Sequence, residues 1–225
     1  MMKTWTADNP KASLMMRKRE AIVEAAREAF LEGGYAQTSM DRIATAAGVG
    51  IKTVYRHFED KDDLFSAVMH AACGPADRGE ADSVANDGPV APPIERAWFT
   101  KPARTALMLA GVEYLRHVLS KDQLDLYRVV TRDADRFPEL GRRYREETIE
   151  HRSAVFVSYL ERRMKAEQWK VRDKRAAANA FAGLLRAGVF EDALHGLHDL
   201  DEGEISTHAR WAAANMLTLL KGGTL

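Results

Sequence analysis

The chain is predicted to be all-α, with a small N-terminal three-helix domain carrying a helix-turn-helix and a larger helical domain after it. Three observations carry this. Apolar residues recur at three- and four-residue spacing almost throughout, and no segment alternates with the two-residue period of a half-buried strand. Gly, Pro and Asp concentrate in one stretch, GPADRGEADSVANDGPVAPP, over 74–93. At 225 residues the chain has room for a modest domain on each side of it.

The elements follow in order. Met1 to Leu14 mixes Lys3, Trp5, Pro10 and Lys11 without periodicity, so 1–16 is expected to be a flexible arm. From about Arg17 to Glu32, Ile22, Ala25, Ala26, Ala29 and Phe30 share one face and charged residues the other, until Gly33 and Gly34 end the helix. Thr38 or Ser39 then suits a helix cap, and Met40, Ile43, Ala44 and Ala47 follow at helical spacing. Gly48 sits where the chain must reverse sharply, with Val49 as an apolar plug. Val54, Tyr55 and Phe58 mark a second short helix, and Asp60 with Asp63 suits the start of a third. Two short helices about a glycine turn form a helix-turn-helix, whose second helix is of a size to enter a DNA major groove. Beyond the linker, helices are expected over about Ala103–Leu119, Asp122–Thr131, Pro138–Glu167, Asp173–Leu194 and Glu204–Leu220.

Composition narrows the function. Lys plus Arg and Asp plus Glu number 33 each, so bulk charge does not make this a general polyanion-coating protein. Any DNA affinity must come from local placement. Cys73 is single and forms no intrachain disulfide, which suits a reducing cytoplasm. No apolar run approaches the roughly 18 residues of a membrane span. There is no HExxH, no nucleophile elbow and no phosphate-cradling glycine loop ending in Lys-Ser or Lys-Thr, so neither an enzyme nor a cofactor is expected. His195 and His198 precede Asp199, Asp201 and Glu202, a spacing that suits a polar helix connection better than a metal site.

The stretch FLEGGYAQTSMDRIATAAGVGIKTVYRHFEDKDDLF, within Arg19 to about Val68, resembles the DNA-binding domain of the TetR family of bacterial transcriptional regulators. LYRVVTRDADRFPELGRRYREE and AAANAFAGLLRAGVFEDALHG are similar to the C-terminal domain of AefR-like repressors in that family. The resemblance implies a helix-turn-helix domain over 17–73, a linker or mobile loop over 74–93, and a helical effector-binding and dimerisation domain over 94–225. It implies base contacts from Lys52 and Thr53 and phosphate contacts from Thr38, Ser39, Tyr55, His57 and Lys61, with Arg42 and Arg56 beside them. Gly50 and Ile51 stand where the family commonly has polar residues; Ile51 either meets a thymine methyl or packs. Taken alone, Val54, Tyr55 and Phe58 are more core than contact, Tyr55 with its body buried and its hydroxyl outward.

In the C-terminal domain the resemblance implies a pocket among the middle helices, for which Trp98, Phe99, Met108, Val112, His117, Tyr127, Phe156 and Tyr159 are the candidates, with Arg116 nearby. The same residues at the same spacing also suit an ordinary core. An effector there is small and apolar or aromatic. Phe181, Leu184, Leu185, Gly188 and Val189, with Trp211, Asn215, Met216 and Leu219, are the expected dimer face on the last two helices. The function so implied is a cytoplasmic repressor that binds a palindromic duplex operator as a homodimer and is released by its effector. A helical adaptor without operator binding, and an activator of the same fold, remain open on sequence.

Overall fold

The structure, a computed structural model, describes residues 10–72 and 96–223, and every regular element among them is helical. In chain order these are α1 (Pro10–Gln37), α2 (Met40–Ala46), α3 (Ile51–His57), α4 (Lys61–Ala72), α5 (Ala103–Val118), α6 (Lys121–Asp133), α7 (Pro138–Arg143), α8 (His151–Glu167), α9 (Lys174–Arg186), α10 (Val189–Leu194) and α11 (Glu202–Gly222). A 3-10 turn lies at Ala97–Thr100 and a π-helical turn at Tyr144–Glu150. The expected linker over 74–93, Cys73 and the arm up to Asn9 lie outside the described residues. Two compact units result, the first from 1–74 and 125–147, the second from 75–124 and 148–225.

In the first unit, α1 contributes Ile22, Ala26 and Phe30 to a core closed by Ile43, Val54, Phe58, Leu64, Phe65 and Met69, each at most 2% exposed. Fully burying one large apolar side chain stabilises by about 1.5–3 kcal/mol, so this small unit rests on contacts between helices too short to stand alone. Helix α1 starts at Pro10, which corrects the expectation of a flexible arm through residue 16. Proline is tolerated in a first turn, and the following ASLMMRKRE holds no breaker.

The C-terminal end of α1 explains why 125–147, assigned by sequence to the second domain, packs in the first unit. Gly34 breaks α1 with φ 80° and ψ 168°, leaving backbone groups without helical partners. Arg132 donates to the Phe30 carbonyl at 3.0 Å, and the Tyr35 amide donates to Asp133 Oδ2 at 2.7 Å. Glycine is needed there for its torsion angles, and a Cβ, 2.5 Å from the Arg132 guanidinium, would also push Arg132 off the Phe30 carbonyl. Leu126, Val129, Val130, Leu140 and Tyr144 join the same core.

In the second unit α11 packs most extensively on α5. Gly111 permits it: a Cβ there would meet Leu185 Cδ2 at 2.9 Å and Ala209 Cβ at 3.1 Å. Asp201 and Glu204 form a capping box at the start of α11, and His198 Nε2 lies 3.1 Å from Glu204 Oε1. Among the described residues no group of three His, Cys, Asp or Glu gathers for a metal ion, and no helix is long and apolar enough to cross a membrane. The helix expected over Asp173–Leu194 is divided: α9 ends at Arg186, and Gly188 at φ 80° starts α10. The helix expected over Pro138–Glu167 is likewise interrupted, by the π-helical turn.

Candidate nucleic-acid interface

Helices α2 and α3 meet about Gly48, whose φ of 65° is the left-handed turn the sequence demands. Val49 donates its amide to the Ala44 carbonyl at 3.0 Å, fixing the turn. Gly50 is the N-cap of α3 and brings no capping side chain. Of the α3 side chains, Val54 is wholly buried and anchors the helix, while Ile51 is half-buried and packs against the core's edge. Lys52 and Arg56 are exposed and Thr53 is half-buried. Tyr55 is 54% exposed, which corrects the expectation of a mostly buried ring. Phe58, just after the helix, is core as expected.

The surrounding candidates separate into free and committed groups. Ser39 caps α2 by accepting from the Arg42 amide at 3.2 Å, leaving its hydroxyl proton to donate outward. Thr38 is 2% exposed, and its one hydroxyl proton is shared between the carbonyls of Ala29, at 2.9 Å, and Gly34, at 2.8 Å. Its expected phosphate contact through the side chain is corrected accordingly: the kink in α1 leaves carbonyls that this hydroxyl satisfies. Lys61 also turns inward, donating to the carbonyls of Tyr35 at 3.0 Å and Thr38 at 3.1 Å, with its ammonium 4.2 Å from the centre of the Tyr35 ring. Burial lowers its pKa. Arg42 pairs with Glu32 at 2.6 Å.

His57 is half-buried, and its Nε2 is enclosed without a hydrogen-bond partner among the described residues. Burial lowers its pKa, with further lowering from the positive charges of Arg56, Arg19 and Lys18. Arg19 lies with its guanidinium 5.1 Å from the centre of the Phe58 ring. Neither Lys18 nor Arg19 stood out in sequence, although Arg19 is one turn before the buried Ile22.

In the second unit Trp98, Phe99, Phe156 and Tyr159, all under 8% exposed, form one aromatic cluster. Tyr159 is central, with ring centres 5.2 Å from Trp98, 5.7 Å from Phe99 and 5.9 Å from Phe156. Its hydroxyl is buried with Arg163 nearby, and burial pushes its pKa up to about 12. Glu113 escaped the sequence reading, yet it accepts from Trp98 Nε1 at 2.8 Å and pairs with Arg96 at 2.9 Å. Met108, Val112 and His117 are half-buried on α5, and Arg116 is held outward by Glu202 at 2.6 Å. Tyr127 is not with this set: it packs at the edge of the first unit's core, its ring 6.0 Å from Tyr144.

The expected dimer face divides too. Phe181, Leu185 and Met216, at most 4% exposed, fill the unit's own interior, which removes them from a partner's reach. Helical spacing placed them on one face but could not say what that face meets. Trp211 is 48% exposed, Asn215 and Gly188 are exposed, and Leu184, Val189 and Leu219 are half-buried.

Comparison with known proteins agrees with this geometry. Residues 22–68 match the family model for bacterial regulatory proteins of the tetR family, and residues 105–222 match that for the C-terminal domain of AefR-like transcriptional repressors. The HTH-type transcriptional repressor BepR of Brucella suis biovar 1 (strain 1330) is 46% identical over 54 residues, 24% of this chain and 26% of BepR. The match thus spans about a quarter of that relative's length. Among solved structures, the flavonoid-responsive regulator FrrA superposes with a TM-score of 0.72 at 28% identity, over 90% of this chain and 96% of FrrA. A regulator from Mesorhizobium loti MAFF303099 gives a TM-score of 0.71 at 25% identity, over 91% of this chain and 97% of its own.

Proposed function

The chain belongs to the TetR family of bacterial transcriptional regulators, with an AefR-like C-terminal domain, and we propose that it is a repressor that binds a near-palindromic operator as a homodimer and lets go when a small molecule binds. It is a DNA-binding regulator and not an enzyme. One observation carries the proposal furthest: Lys52, Tyr55 and Arg56 stand on the outer face of α3, and among the described residues none has a hydrogen-bond or ion-pair partner.

Lys52 offers donors to guanine acceptors, and the half-buried Thr53 offers a hydroxyl and a methyl at the groove floor. Ser39, Tyr55, Arg56 and His57 take phosphates and set the register. A homodimer would place two copies of α3 about 34–36 Å apart, to meet successive major grooves. Trp211, Asn215 and Leu219 of α11, with Leu184, Gly188 and Val189, are the surface assigned to that dimer. The effector-binding and dimerisation domain is taken as 94–225, and the helix-turn-helix domain as 17–73. An effector that favours a different spacing of the two recognition helices would release the DNA by shifting the population of dimers. The aromatic set about Tyr159 suits a planar, apolar effector, and FrrA's description as flavonoid-responsive supports a phenolic one.

Selection of duplexes from a random pool by the purified chain tests this. The expected product is an inverted repeat with half-sites centred about 10–10.5 base pairs apart, or a multiple of that, released by at least one phenol in a panel that includes naringenin and salicylate. An asymmetric product or no enrichment overturns the operator reading. Binding that survives the whole panel overturns the phenolic effector.

A further inference from the structure

The proposed DNA-contacting surface described so far lies on and just before α2 and on α3, yet the first three turns of α1 carry an unbalanced charge. Residues 10–19 include Lys11, Arg17, Lys18 and Arg19 and no acidic residue. Two other arginines of the first unit have carboxylate partners, Arg27 with Glu24 at 2.5 Å and Arg42 with Glu32 at 2.6 Å, and Lys61 is held by backbone carbonyls. Among the described residues Lys18, Arg19 and Arg56 have none.

These cations are not scattered. Arg19 stacks its guanidinium 5.1 Å from the centre of the Phe58 ring, and Phe58 is the C-cap of α3, directly after His57. Lys18, Arg19 and Arg56 are near enough to His57 to oppose its protonation, so the enclosed imidazole marks the point about which these cations gather. Like charges gathered without a counter-charge repel one another, and an anion placed among them relieves that repulsion. A planar guanidinium fixed on an aromatic ring loses less freedom on meeting an anion than a free lysine does.

Resting on the DNA-binding reading, we propose that Lys18 and Arg19 of α1 join Arg56 of α3, gathered around His57, in one phosphate-binding patch, so that the DNA backbone is held by the first helix as well as by the recognition helix. Arg19 is the rigid member and Lys18 the adaptable one. The patch carries no base specificity; it fixes the angle at which α3 enters the groove.

The experiment is a salt titration of affinity, by fluorescence anisotropy, on the duplex that the wild-type chain selects. Each phosphate contact contributes about 0.9 to the slope of log K against log salt. Arg19→Met, which keeps an apolar stem over Phe58, and Lys18→Gln are each expected to flatten the slope by about 0.9. The wild type's advantage over either variant then shrinks about 3.5-fold between roughly 50 and 200 mM salt. Arg19→Lys is expected to restore the slope, and Arg27→Met to leave it at the wild-type value. Wild-type slopes in both Arg19→Met and Lys18→Gln overturn the patch, as does equal flattening by Arg27→Met. Should Arg19→Met lose its helical signal, Lys18→Gln with Arg19→Lys decides. A wild type whose binding ignores salt would instead defeat the DNA-binding reading itself.

Discussion

On α3, Lys52, Tyr55 and Arg56 stand in solvent and have no side-chain partner among the described residues, while in the second unit Trp98, Phe99, Phe156 and Tyr159 are almost wholly enclosed and touch one another. Both sets are prominent in sequence, and both were assigned to binding. The difference is one of supply and demand for contacts. A side chain held outward on a helix anchored by Val54 and Phe58 costs little stability and is free to meet a partner. A side chain in a packed aromatic cluster already contributes to folding, so a ligand there must replace contacts as well as add them.

The largest expected effect tests the enclosed set. Phe156→Ala should lower stability by about 3–5 kcal/mol in chemical denaturation, the cost of emptying a packed aromatic site. A loss under about 1 kcal/mol would mean that Phe156 lines open space, and the contrast with α3 would collapse. A smaller effect sharpens the division within the first unit. Thr38→Val should cost about 1–3 kcal/mol of stability by leaving buried carbonyls unsatisfied, with the DNA affinity of the folded chain unchanged. Ser39→Ala should cost about 1 kcal/mol through the lost cap and also weaken DNA binding, with the salt slope unchanged because the hydroxyl is neutral. If both variants weaken binding equally, Thr38 is a phosphate contact after all.

The smallest effect concerns pH. The folded state depresses the His57 pKa below its ordinary 6.5, so the unfolded chain binds the proton more readily. Its contribution to stability is therefore full above about pH 6.5 and is lost as pH falls through the folded-state value. Between about pH 7.5 and 5.5 the wild type should lose more stability than His57→Gln. Equal losses would show that the imidazole is as free in the fold as out of it.

The helix-turn-helix was legible because its geometry leaves few choices: a left-handed residue at Gly48, small residues at the crossing and an apolar plug at Val49. Which polar residues stay available was not. Thr38 and Lys61 share the residue types of true phosphate contacts, but the break at Gly34 leaves carbonyls that draw both inward, through contacts that spacing along the chain does not display. Asp133 and Arg132 complete the same helix end from about 100 positions away, which is why the first unit takes in 125–147. In the second unit periodicity correctly grouped Phe181, Leu185 and Met216, yet a helical face looks the same in sequence whether it meets its own core or a second copy.

The central claim is that α3 separates anchoring from recognition, and Lys52→Ala tests it most directly when affinity for the selected duplex and thermal stability are measured on the same preparation. The account predicts DNA binding weaker by about 1–3 kcal/mol with the melting temperature unchanged, as for an exposed side chain whose donors meet a base edge. Unchanged affinity, or a loss of affinity accompanied by a matching loss of stability, would contradict it.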